Sequence, residues 1–476
     1  MRQTIKLLLL PVAAVVAIGW YHSTSQGRGE PPVADARSQL PTLVIAEHRA
    51  ARLDALRELQ PMLQQRLGVQ LRIVEYPAPP QDYFTKLVTE LRAGNAPDVF
   101  SIPRDLQVDD LAAAGYLADL TQDLQAWPGY AAMPELVRQL SRASFNEKSY
   151  VVPSIVAVEQ LYYRHDLLTQ AGISTAQPKD WQDLLARSRQ IKQQLGQFPL
   201  LIPAGLTWGM GSYTEGFRYL LASFSGYQLL TSDNRYALRD PAVAKAFDFY
   251  HTLVSEQLMP VAPLLNPEPW VIPKYEMFPK GQLLITTCGS WCKTFDWGPG
   301  SRNPIANVDD AVRTWRFPSA DGAEPFALAS VVYAWAVNAH SRKPELARAL
   351  ALLMGDNDVA LAYAKRLGNV PARLDATAHP RFAELGAMTA DHALLPQARA
   401  LRSTVGANAM MAGVARATEA VLIGKVDGTG AQQLLLQYVS HVLGEDTVGQ
   451  RPTELTDPTA SALAQANSNT TPQEAQ

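Results

Sequence analysis

The chain has 476 residues, 47 % hydrophobic and 18 % charged, with a net charge of −3. This is the composition of an ordinary globular protein, and it excludes a disordered or collagen-like chain. Basic and acidic residues are mixed, so no clustered basic face points to a nucleic-acid partner. The length exceeds the roughly 250–300 residues at which one core usually stops growing, which predicts two lobes.

The chain begins with Arg2 and Lys6 ahead of the apolar run Leu7 to Trp20. A basic start and a short apolar core predict a signal peptide over 1–25, an uncleaved anchor being the alternative. No cysteine follows the run, so lipid attachment is not expected and a periplasmic location is. Residues 26–40 are polar and carry Pro31 and Pro32, the composition of a linker. The segment 455–476 lacks apolar periodicity and reads as a disordered tail.

The folded part opens with the apolar run Thr42 to His48, a buried strand. Leu53, Leu56, Leu59, Leu63 and Leu67 then recur at helical spacing, and Gly68 ends that helix. Val69 to Tyr76 reads as a second strand, Tyr83 to Ala93 as a second helix, and Val99–Phe100 starts a third strand. This order predicts an α/β lobe with a largely parallel sheet, whose ligands lie at the carboxyl ends of the strands. Glu47 follows the first strand, and Arg104 and Asp105 follow the third.

Four stretches, in order, carry a resemblance to a known family. They are Phe84–Phe100 with Leu111–Thr121, Val152–Ile173 with Asp180–Leu184, Phe278–Trp291, and Val331–Asp356 with Gly368–Ala376. Together they resemble the sugar-binding branch of the extracellular solute-binding proteins of ABC importers, the family that includes maltose-binding protein. The resemblance implies a two-lobed α/β periplasmic-binding-protein fold of type II, with three hinge crossovers and the ligand in the interlobe cleft. It places 41–152 and 326–355 in the N-terminal lobe, and 157–318 and 364–444 in the C-terminal lobe. It implies an extracytoplasmic, monomeric subunit that captures a sugar and delivers it to the membrane permease, with no cofactor, no metal and no catalysis.

A sugar offers hydroxyls that donate and accept hydrogen bonds and a C–H face that packs on aromatic rings, so a site needs carboxylates, arginines and indole or phenol platforms. The resemblance carries this over to Asp105, with Arg104 beside it, to Glu159 in Ala-Val-Glu, and to Trp291 in Gly-Ser-Trp. Trp208 and Tyr213 lie in a glycine-rich stretch expected to form a cleft loop, Arg373 follows Pro371, and Glu47 joins by position. Trp270 and Trp297 either extend the aromatic surface or cover the lobe edge.

Cys288 and Cys292 are the two cysteines. In an oxidising compartment they form a disulfide; the alternative is two reduced, buried side chains. On a regular helix their β-carbons would be about 5–6 Å apart, too far for a bond, so pairing requires a turn near Gly289. The eight histidines form no HExxH pair, and no GxSxG or phosphate-binding loop occurs. Two other classes stand as alternatives: a ligand-sensing module for a membrane receptor, which would have the same fold, and a secreted carbohydrate-active enzyme.

Overall fold

The computed structural model describes residues 40–48, 50–77, 80–102, 107–226, 228–320 and 322–450. The expected signal segment, nearly all of the linker, and the tail lie outside them. Among the described residues, nine strands form one mixed sheet in the order β2-β1-β3-β8-β4-β6-β5, with β7 and β9 also paired to β4.

The first elements follow the hydrophobic pattern. Strand β1 (Thr42–His48) pairs in parallel with β2 (Gln70–Tyr76) and with β3 (Val99–Ile102). Helix α1 (Ala50–Leu67) buries Leu53, Leu56 and Leu63, the expected stripe. Gly68 adopts φ +62°, the left-handed conformation that ends a helix at no Cβ penalty. Helix α2 (Pro80–Ala93) returns the chain to β3, and the short α3 (Val108–Ala113) follows it.

Strand β4 (Val151–Arg164) organises the rest of the molecule. All fourteen of its residues are buried, as the apolar run VVPSIVAV requires of a strand covered on both faces. Its first half pairs with β8 (Leu328–Val337), and its second half with β6 (Leu283–Gly289) and β7 (Val312–Trp315). Strand β5 (Phe198–Leu201) adds to β6 in parallel, and the two-residue β9 (Val370–Pro371) pairs with β4 at Ile155 and Val156.

Two hydrophobic clusters form around this sheet. One takes Val151 to Val158 of β4, and the other takes Leu161 to Tyr163. The chain passes between them at Val158–Leu161, again around Ala327–Ala329, and a third time between Ala398 and Leu401. The helix Asn357–Leu367 packs its apolar face, including Val359 and Tyr363, into the first cluster. Two residues, Gly355 and Asp356, join it to the helix Pro344–Met354, so both cover the same lobe. The second cluster resumes at Leu401 and runs through the helices Ala407–Leu422 and Gly428–Leu443.

Local signals in the second lobe also shape its helices. Asp180 accepts a 2.7 Å hydrogen bond from the Asp183 amide and so caps the helix Trp181–Leu195. That helix ends on Gly196 in the left-handed conformation.

Candidate ligand-binding cleft at the hinge

At the first lobe's strand ends, Glu47 is fully buried. Its Oε1 accepts from the His48 amide at 2.8 Å and from the Ser101 hydroxyl at 3.1 Å. The His48 ring stacks on Tyr83 with centroids 4.2 Å apart, and the Arg52 guanidinium lies 3.7 Å above the Tyr333 ring. Burial and the nearby Glu47 carboxylate push the phenols of Tyr83 and Tyr363 far above their ordinary range. Glu47 Oε2, Tyr333 Oη, Trp335 Nε1 and Tyr363 Oη have no hydrogen-bond partner among the described residues. Since buried polar atoms are ordinarily paired, this cluster retains hydrogen-bonding capacity. Arg104 and Asp105 lie outside the described residues.

The hinge holds Glu159. Its carboxylate pairs with Arg218 at the start of the helix Arg218–Ser225, and Oε1 accepts from the Ser330 hydroxyl at 2.9 Å. Glu159 stands opposite Gly289 in the β4–β6 register, and Trp291 follows two residues later. A Cβ at Gly289 would run into the Trp291 ring, so only glycine lets the indole fold back over the strand end. Trp291 is partly buried and packs against both hydrophobic clusters. Its neighbour Ser290 donates to Asn369 Oδ1 at 3.3 Å.

The remaining candidates are placed differently. Trp208 and Tyr213 are buried in the second cluster. Trp208 meets Trp270 edge-on at 6.5 Å, and Lys274 Nζ lies 5.7 Å from its ring. Lys274 in turn pairs with Glu215 at 2.8 Å, so this loop is held by a buried ion pair. Arg373 is paired with Asp375 at 2.6 Å and with Asp356 at 3.3 Å, and it lies over the Trp127 ring. Its charge is thus taken up within the chain. Trp297 is fully buried, stacks on Phe278 and donates to the Lys274 carbonyl at 3.0 Å.

Cys288 and Cys292 are joined as a disulfide, with Cα atoms 6.4 Å apart. The strand ends at Gly289 and a short helix begins at Cys292, which supplies the turn that pairing needs. Asp296 lies close to both sulfurs, but sulfurs bonded to one another are not thiolate ligands for a metal.

Glu159 and Gln160 are consecutive on β4 and face opposite sides of the sheet. On the Gln160 side a groove of about 360 Å³ is lined by Tyr162, Ser290, Lys293, Asp309, Met388 and Asp391, among others. The Gln160 amide donates to Asp391 at 3.0 Å. Burial pushes the Asp391 carboxyl up to about 7 against the pull of Lys293.

Two features of the cleft escaped the reading from sequence. Arg218, the counter-charge of Glu159, sits 59 residues away on a helix with no motif of its own. Asp110, on α3 beyond β3, bonds across to the second lobe, and the sequence singled out neither it nor its partner Gly406.

The family profile of the bacterial extracellular solute-binding proteins matches residues 60–390. YcjN of Escherichia coli, named for an ABC transporter periplasmic-binding role, is 22 % identical over 198 residues, 40 % of this chain and 43 % of that protein. The chain thus spans less than half the length of that curated relative. Among solved structures, maltose-bound MalE3 of T. maritima is similar with TM-score 0.67 and 19 % identity, over 84 % of this chain and 100 % of that one. The GacH receptor of Streptomyces glaucescens, solved unliganded and with acarbose, gives TM-score 0.68 and 18 % identity over 85 % and 98 %. MalE of Xanthomonas citri gives 0.68 and 19 % over the same shares. A family profile covering most of the folded chain, together with two α/β cores threaded on one hinge strand, places this chain in the family of bacterial extracellular solute-binding proteins.

Proposed function

We propose that this protein is the extracytoplasmic solute-capturing subunit of an ABC importer and that its solute is a carbohydrate. The observation that carries the reading is Trp291, an indole seated against both cores at the hinge and beside the Glu159 strand position. An aromatic face packs the C–H side of a sugar, while buried polar groups such as those around Glu47 bond hydroxyls. The similar proteins named for maltose and acarbose binding support the same ligand class. Capture is non-covalent: the sugar stabilises the closed arrangement, and that arrangement engages the permease.

The test is a thermal-shift panel of mono-, di- and oligosaccharides and polyols. A ligand that binds only the folded state at a hundredfold excess over its Kd adds about 2.7 kcal/mol of stability. The expected result is a shift with one sugar class that is lost in Trp291→Ala. A shift with a peptide, polyamine or metal and none with any sugar would overturn the carbohydrate assignment.

A further inference from the structure

The helix Ala407–Leu422 belongs to the second lobe and has Gly406 at its N-cap, so no side chain of its own segment caps it. Helix N-termini leave backbone N–H groups without partners inside the helix, and they are stabilised by an acceptor, best an anionic one. Here that acceptor comes from the other lobe. Asp110, on α3 in the first lobe, accepts the Gly406 amide at 2.6 Å and also the backbone N–H of Asn408.

Neighbouring contacts cross the same seam. The Ser144 hydroxyl donates to the Ser403 carbonyl at 2.5 Å, and Asn234 donates to the Ser144 carbonyl at 2.9 Å. Arg402 pairs with Glu147 at 2.9 Å. Asp109, beside Asp110, accepts the Ser144 amide at 2.7 Å, which ties the first-lobe side of the seam together. These second-lobe residues lie on two separate segments, and the nearer one begins directly after the chain's third passage between the clusters.

We propose that Asp110 is a positioning residue for binding: its carboxylate is an interlobe latch that caps the second lobe's helix and holds the lobes in the arrangement of this structure. Separating the lobes at this seam strips the helix of its acceptor and returns Asp110 to water, so the latch holds this arrangement with or without a ligand in the cleft. It sets affinity from outside the ligand contacts. The inference concerns the lobe equilibrium and does not depend on the ligand being a sugar.

The full chain is measured without ligand by small-angle X-ray scattering, with circular dichroism to confirm folding. Asp110→Ala is expected to raise the radius of gyration. Asp119→Ala, which removes a carboxylate paired with Lys148 in the first lobe, should leave it unchanged. An Asp110→Ala protein that is folded yet scatters like the unaltered one would overturn the latch. Hydrogen exchange on the unaltered protein tests it without a variant that might misfold. Protected Gly406 and Asn408 amides are expected, and exchange at the rate of an uncapped helix end would overturn it. With any sugar that shifts the melting temperature, Asp110→Ala should raise Kd roughly tenfold, the scale of a lost charge-assisted cap. If no sugar binds, the scattering and exchange results still decide.

Discussion

The carboxylate of Glu159 and the guanidinium of Arg218 close on each other where β4 leaves one hydrophobic core and enters the next. Glu159 is fully buried and Arg218 is 4 % exposed, so each charge lies within the protein interior. A buried pair of this kind is seldom a large net gain over apolar residues, yet breaking one half is costly.

Arg218→Met is therefore expected to lower stability by about 3–5 kcal/mol, because it takes the Arg218 charge away from a fully buried carboxylate. Glu159→Gln with Arg218→Met together should recover most of that loss. Urea denaturation of the two single variants and the double variant measures it. A cost under about 1 kcal/mol for Arg218→Met would show that the pair does not hold the hinge.

Two tryptophans six residues apart should fail in opposite ways. Trp297 lies inside the second core, and its truncation is expected to cost about 3–5 kcal/mol while the folded fraction keeps its ligand affinity. Trp291, partly exposed between the cores, should lose ligand affinity at least tenfold on truncation for a smaller loss of stability. Denaturation and ligand titration of both variants separate the roles, and the reverse pattern would move the platform to Trp297.

The difference between these residues shows what the chain made legible in advance. The strand-helix order of the first lobe was readable because β1 and β3 are covered on both faces and α1 carries a leucine stripe. Glu159 and Trp291 were singled out because each sits inside a short local motif. The depth of Trp208 and Tyr213 was not, since glycine-rich spacing does not say which way a ring turns. Arg373 reads like a ligand donor, but its carboxylate partners Asp356 and Asp375 are set by how the chain returns past β9. The Asp110–Gly406 contact joins positions 296 residues apart, and nothing local in either segment encodes it.

The disulfide closes only a short loop, Cys288 to Cys292, so its constraint on the unfolded chain is modest. Loop-closure entropy for a ring of this size gives about 2 kcal/mol. Both sulfurs are fully buried, so reductant should leave the bond intact under native conditions and break it once urea opens the lobe. Thiol labelling across a urea series, with and without reductant, follows this. Rapid labelling in reductant without urea would show that the second lobe opens locally at this strand end.

Asp391 gives the protein a pH dependence with a definite sign. Burial holds its carboxyl at about 7, whereas an unfolded aspartate titrates near about 3.9. The folded state therefore keeps a proton that the unfolded state has lost across this interval. Stability from the site is fully present below about pH 4 and is lost as pH rises through about 7. Asp391→Asn removes the ionisable group while leaving an acceptor for the Gln160 amide. The variant should match the unaltered protein near pH 4 and become the more stable one above pH 7, by on the order of 1–3 kcal/mol. Asp109, also held at about 7 by burial, contributes the same slope to both proteins and cancels in the comparison. Urea midpoints at pH 4.5, 6.0, 7.5 and 8.5 measure the difference. A gap that stays constant with pH would mean that Asp391 is already ionised in the folded protein, with the groove's Lys293 outweighing burial.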